Sequence, residues 1–313
     1  MNEAQLVARV RELFSGRIGD DAAVVGDQVY TTDLLVEDVD FTRATPLRLI
    51  ARKSLAVNLS DLAAMGAAPS IALLALALPP WALDHADEML VAYAEAANEH
   101  GIEIVGGDFS RAEKLTVSIT AVGRIVTRPL LRSGAKAGDR IYLSRPVGGS
   151  AAGLQLLGRD LTAYGYAERE LAESAIRRQL DPEPELALGV RLAAIAEVTS
   201  CIDVSDGLSS DLHHLCDASA CGAEIDKERI PVFQELLGLG PKLGISVADA
   251  VLHGGEEYAL LFTSSLPESQ LSTRAGRPVY AIGRMTRERG VLLKENGRVQ
   301  RLDAKGFDHF AGR

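Results

Sequence analysis

The chain has 313 residues, 47% hydrophobic and 24% charged, with a formal net charge of −10. That length implies two domains or one large one, and that composition a soluble protein with a sizeable core. The negative charge argues against nucleic acid or an anionic membrane as a partner, and the longest apolar run, Ile71 to Trp81, is too short to span a bilayer and carries two prolines.

In chain order, residues 4–14 read as an amphipathic helix with Leu6, Val10, Leu13 and Phe14 on one face. Two strand-like runs, 22–25 and 28–32, flank Gly26-Asp27, a hairpin signal. An Ala/Leu-rich helix is expected over 47–65, closed by Gly66, and a buried strand over 71–78. Pro79-Pro80 then opens a helix with apolar residues at Leu83, Ala86, Leu90, Tyr93 and Ala97. Strands follow at 102–105 and 115–125, and the polar stretch 127–139 marks a domain junction. We therefore expect an N-terminal domain, 1–137, and a C-terminal domain, 138–313. In the second, strands are expected at 140–143, 199–204, 258–262 and 279–282, helices at 150–157, 167–179, 184–196 and 208–219, and a hairpin at 291–302 around Asn296-Gly297. The fold class is α/β (α+β, with mixed sheets).

The common nucleotide, zinc and hydrolase signatures are missing: no P-loop, no G-x-G-x-x-G after a strand, no zinc-spaced Cys/His set and no G-x-S-x-G. What stands out is a series of short acidic runs, most of them after β-like segments. They are Gly19-Asp20-Asp21, Thr31-Thr32-Asp33, Asn58-Leu59-Ser60-Asp61, Gly106-Gly107-Asp108 and Asp203-Val204-Ser205-Asp206-Gly207. Loops on a rigid scaffold are where side chains are offered to ligands. If these carboxylates converge they need a cation, because two charges about 4 Å apart repel by roughly 4 kcal/mol at an effective dielectric near 20. Oxygen-only donors suit Mg²⁺, Mn²⁺ or Ca²⁺. Ser205 or Asp206 is placed to cap the helix that follows, and that bland role competes with a ligand role. Arg132-Ser133-Gly134-Ala135-Lys136 reads as a phosphate-friendly loop or a solvated linker, and Lys53 lies two turns before Asp61 on one helix. Glu256, in the turn after His253, reads equally as a turn residue or a substrate contact, while His213 and His214 read as structural. Cys201, Cys216 and Cys221 fit reduced thiols in the cytoplasm.

Together these segments resemble thiamine-monophosphate kinases, in the superfamily of aminoimidazole ribonucleotide synthetase, selenophosphate synthetase and the hydrogenase-maturation carbamoyl dehydratase. The matching runs are 18–25, Thr31-Thr32-Asp33, 57–67, Gly106-Gly107-Asp108, 132–142, 150–154, 203–212, 253–263 and 305–310, in family order. The resemblance implies a two-domain aminoimidazole ribonucleotide synthetase-like fold and a homodimer. It also implies ATP-dependent conversion of thiamine monophosphate to thiamine diphosphate by direct in-line transfer. By position, Asp21, Thr31, Thr32, Asp33, Asp61, Asp108, Asp203 and Asp206 would hold several Mg²⁺ ions. Asp33, Asp61, Asp108 and Arg132 would carry catalysis. Thr31, Thr32, Gly107, Arg132 and Ser205 would contact ATP, and Asp40, Glu256 and Ala304 would lie at the thiamine end. Asp40 stands where the family usually has histidine, and Ala304 where it often has tryptophan. The alternatives are another ATP-dependent enzyme of the superfamily with an altered substrate, or a non-catalytic nucleotide or thiamine-phosphate sensor.

Overall fold

The computed structural model describes residues 3–14 and 18–307. The end of the 305–310 motif, Asp308-His309-Phe310, lies outside the described residues. The N-terminal half holds helix α1 (Glu3–Leu13), strands β1 (Ala23–Val25) and β2 (Gln28–Val36), helix α2 (Leu47–Ala64), strand β3 (Ala67–Leu78), helices α3 (Pro80–Leu83) and α4 (Ala86–His100), and strands β4 (Glu103–Arg111) and β5 (Thr116–Ile125). Its sheet runs β1-β2-β5-β3-β4 and is antiparallel except for the β3–β4 pair. The Gly26-Asp27 hairpin is present as expected. The helix expected after Pro79 is instead two, because the chain turns at Asp84-His85.

The C-terminal half contains β6 (Arg140–Leu143), α5 (Gly149–Leu156), α6 (Tyr166–Leu180), α7 (Leu186–Ala193), β7 (Val198–Asp203), α8 (Leu208–Ala218), β8 (Gly222–Asp226), α9 (Gln234–Leu243), α10 (Val247–His253), β9 (Leu260–Ser264), α11 (Glu268–Ala275), β10 (Tyr280–Thr286), β11 (Gly290–Glu295) and β12 (Arg298–Arg301). Its sheet order is β12-β11-β8-β10-β6-β9-β7, and only the β8–β11 pair is parallel. Both sheets are therefore mixed, as expected for the class. Sequence reading passes over β8, α9, α10 and α11.

The halves share apolar packing. Ala63 and Ala64 of α2 join Leu188 and Leu192 of α7, Tyr142 of β6 and Phe262 of β9 in one buried cluster. Gly189 allows this approach, since a Cβ there would lie 2.0 Å from the Ala63 carbonyl oxygen. Helix α2 is buried on nearly every side, including Lys53, Ser54, Asn58 and Ser60. Polar groups are tolerated there because they find partners: Ser54 bonds Tyr93, and Asn58 Nδ2 donates to the Ser54 carbonyl at 2.9 Å. Among the described residues no helix is long and apolar enough to cross a membrane.

Candidate active site

Three carboxylates from distant parts of the chain meet where the halves join. Asp21 precedes β1, Asp61 lies in the last turns of α2, and Asp203 ends β7. One oxygen of each lies within 4.8 Å of the other two. Thr31 on β2 donates to Asp61, and Ser60 Oγ donates to Asp203 Oδ2 at 2.5 Å, so neighbours orient the group. Asp33, two residues along β2, shares the Thr31 face, and its N–H donates to Asn58 Oδ1 at 3.1 Å. Burial and repulsion from neighbouring carboxylates move all four acids in one direction. Burial, then the neighbouring Asp40, raises Asp33 to about 6. Burial, then Asp21, raises Asp203 to about 7. Asp61 is pushed well up by burial and by Asp33, Asp203 and Asp21. Asp21 is raised by burial against the opposing pull of Arg132.

Arg132 sits on this cluster. Its Nη2 lies 2.5 Å from Asp21 Oδ1, and its backbone N–H donates to Asp20 at 2.8 Å. One guanidinium does not compensate four acids. Asp21 Oδ2 is buried and accepts no hydrogen bond from the described residues. A divalent cation fits this donor set, being all oxygen, rich in carboxylate and with a buried oxygen left over.

The cluster opens into a cavity of about 690 Å³. Asp33, Asp61, Asp203, Ser205 and Asp206 line one part of it. Leu35, Val39, Val57, Ala151, Leu154 and Tyr258 add apolar side chains to the lining, together with Asp40 and Glu256. Asp40 Oδ2 accepts the Val36 N–H at 2.7 Å. The segment after β12 folds over α8, with Gly306 N–H on Ser210 Oγ at 2.8 Å and Phe307 N–H on the Asp206 carbonyl at 3.2 Å. Lys305, Gly306 and Phe307 thereby reach the cavity, whereas Ala304 is exposed and is not among the residues lining it.

The sheet separates the remaining candidates. Asp33, Ile119, Leu74 and Gly107 form one cross-strand row, and Leu34, Ser118, Ala75 and Asp108 form the next. Asp108 is thus three strand spacings from β2, about 14 Å, and on the opposite face from Asp33. Thr32 shares that opposite face and accepts from Thr120 Oγ1 at 3.3 Å. Gly106-Gly107-Asp108 is mid-strand rather than past the strand end expected at residue 105, because β4 continues beside β3 to Arg111. Gly107 is required there, since a Cβ would fall 1.7 Å from the Leu74 carbonyl oxygen. Asp206 lines the cavity but groups with Asp211 and His214, apart from the Asp21 set. Neither Ser205 nor Asp206 caps α8: Gly207 is the cap residue, and its N–H is taken by Asp211. Sequence reading does not single out Tyr258 or Asp211, although they fall within the matching runs 253–263 and 203–212, nor Gln179, which lies in none of them.

Residues 19–125 match the AIR synthase related protein N-terminal domain, and residues 136–294 match its C-terminal domain. The thiamine-monophosphate kinase of Escherichia coli (strain K12) is 38% identical over 311 residues, covering 94% of this chain and 91% of the relative. The chain belongs to the thiamine-monophosphate kinase family. A solved structure described as "AaThiL complexed with AMPPCP and TMP" superposes with a TM-score of 0.89 at 31% identity, covering 99% of this chain and 97% of that one. The family member from Stenotrophomonas maltophilia K279a superposes at 0.76 with 35% identity, covering 93% and 94%.

Proposed function

We propose that this chain transfers the γ-phosphoryl group of ATP to thiamine monophosphate, giving ADP and thiamine diphosphate, the last step in making that diphosphate. The observation that carries this reading is the Asp21–Asp61–Asp203 cluster, of which Asp61 and Asp203 line a cavity that also holds apolar side chains and the further carboxylates Asp40 and Glu256. The acidic part of the lining suits a metal-bound triphosphate, and the apolar side chains together with Asp40 and Glu256 suit a flat, cationic heterocycle. The similarity to a family structure holding an ATP analogue and TMP supports both halves.

The acceptor is a phosphate oxygen. A phosphomonoester is largely dianionic at neutral pH, so attack at the γ-phosphorus with departure of ADP needs no general base. Bound Mg²⁺ would neutralise the meeting phosphates and the charge on the moving phosphoryl group. Asp21, Thr31, Asp33, Asp61, Asp203 and Asp206 would hold the ions. Arg132 holds Asp21 through its guanidinium and, with Ser205, would contact the triphosphate. Incubation with ATP, thiamine monophosphate and Mg²⁺ is expected to yield thiamine diphosphate, and none in EDTA. In the same assay Asp40→Ala is expected to raise the acceptor KM severalfold. ATP hydrolysis without thiamine diphosphate would refute the reading.

We also propose the division at residues 137 and 138; the order of the strands, β1–β5 before it and β6–β12 after it, supports that boundary. Three unpaired cysteines are consistent with a cytoplasmic enzyme. We further propose a homodimer built on the sheet face that carries Thr32 and Asp108. That face exposes Leu34 (58%) and Leu73 (46%), an apolar surface that a single copy leaves wet. Asp108 and Thr32 would join a nucleotide site only across such an interface. Sedimentation velocity is expected to give twice the 33.3 kDa chain mass, shifting toward one chain in Leu34→Asp/Leu73→Asp. A monomeric parent would eliminate this arrangement.

A further inference from the structure

Glu256 occupies backbone that glutamate rarely adopts. Its φ is +58° and that of Tyr258 is +48°, left-handed conformations that cost about 1–2 kcal/mol each for such residues. The surroundings fix the segment. Glu256 N–H donates to the Ser205 carbonyl at 2.7 Å and Tyr258 N–H to the Val204 carbonyl at 2.8 Å. Arg145 Nη2 donates to the carbonyls of Glu257 and Tyr258, both at 2.8 Å. Strain sustained in this way marks a side chain whose position matters.

The Glu256 carboxylate is gripped at both oxygens from two different elements. Gln179 Nε2 on α6 donates to Oε2. Lys53 Nζ on α2 lies 2.5 Å from Oε1, with a lysine side chain only 3% exposed. Nζ is oriented off hydrogen-bond geometry, so this ion pair is the counterweight to its buried charge. An ammonium withdrawn from water costs several kcal/mol unless an anion faces it. Among the described residues, the cavity wall includes Glu256 and Gln179 but not Lys53.

We infer that Lys53 is a positioning residue: from the N-terminal half it holds Glu256 of the C-terminal half against the acceptor end of the cavity, and so sets affinity for the cationic substrate. This rests on the kinase reading above. A mere interdomain staple would affect both substrates or only stability. A positioning role affects the acceptor alone, because the ATP end is built on Asp61 and Asp203.

The experiment is steady-state kinetics on Lys53→Met, Glu256→Gln and the double variant, with thermal midpoints. K53M is expected to raise KM for thiamine monophosphate about tenfold, a loss of ~1.4 kcal/mol, with KM for ATP within about twofold of the parent. In the E256Q background K53M is expected to add almost nothing, since the partner is already neutral. Should K53M not fold, Lys53→Gln, which removes the charge but keeps a donor, carries the same expectations. An unchanged acceptor KM, an equal rise for ATP, or full additivity with E256Q overturns the inference. Absence of thiamine diphosphate from the parent enzyme would instead refute the kinase reading itself.

Discussion

Asp61→Asn is expected to lower kcat by on the order of 10³-fold while leaving the metal-free protein at least as heat-stable as its parent. The two effects have one cause. Asp61 is the most crowded acid of the cluster, facing Asp21, Asp33 and Asp203 in a buried site. For catalysis that crowding concentrates negative charge where a cation must sit. For the empty protein it is repulsion. Asparagine keeps an oxygen that can still accept from Thr31, so packing survives and only the charge goes. Turnover of ATP and thiamine monophosphate, together with calorimetry in EDTA, tests both parts. Turnover within tenfold of the parent, or a midpoint lowered by more than about 5 °C (roughly 3 kcal/mol for a chain of this size), would remove Asp61 from the metal site.

The second large effect is the pH dependence of stability. In the unfolded chain the cluster aspartates titrate near 3.8, whereas in the fold Asp33 titrates at about 6, Asp203 at about 7 and Asp61 well above its ordinary value. Between these limits the folded protein keeps protons that the unfolded chain has released. Stability without metal must therefore fall as pH rises from about 4 through about 7. Buried Glu257, raised to about 7, acts in the same direction. His100, His214 and His253 are lowered by burial and oppose the trend below about pH 6.5, but they are partly open to water. We expect the midpoint in EDTA to be several degrees lower at pH 8 than at pH 5.5. Magnesium should compete with protons for the same oxygens, so its stabilising shift should be larger at pH 8. Equal shifts at both pH values, or a metal-free protein that gains stability toward pH 8, would contradict the cluster as described.

The elements legible in the sequence were those with a strong period or punctuation: α2, α4, the Gly26-Asp27 hairpin and the β7–α8 junction. Short amphipathic pieces such as α9 and α10 were not, because their few apolar residues pack against neighbours far away in sequence. At the site, sequence identified the acids but not which of them meet. Asp33 and Asp108 look alike as strand-borne carboxylates, yet pleat and strand order send them to opposite faces of one sheet. Lys53 offered a similar lesson. Helical spacing relates it to Asp61 on α2, while its charge is spent on Glu256, more than 200 positions later. The order of a chain cannot reveal such a pairing, because only the docking of the two halves creates it.

Helix α2 reaches the acid cluster with Asp61, steadies β2 through Asn58, meets Glu256 with Lys53 and lets α7 ride against Ala63. A helix with a wet side can drift by neutral exchange along that side. This one has almost no such side, so its eighteen positions form a spindle on which nearly every substitution is felt by a substrate, a sheet or the opposite half.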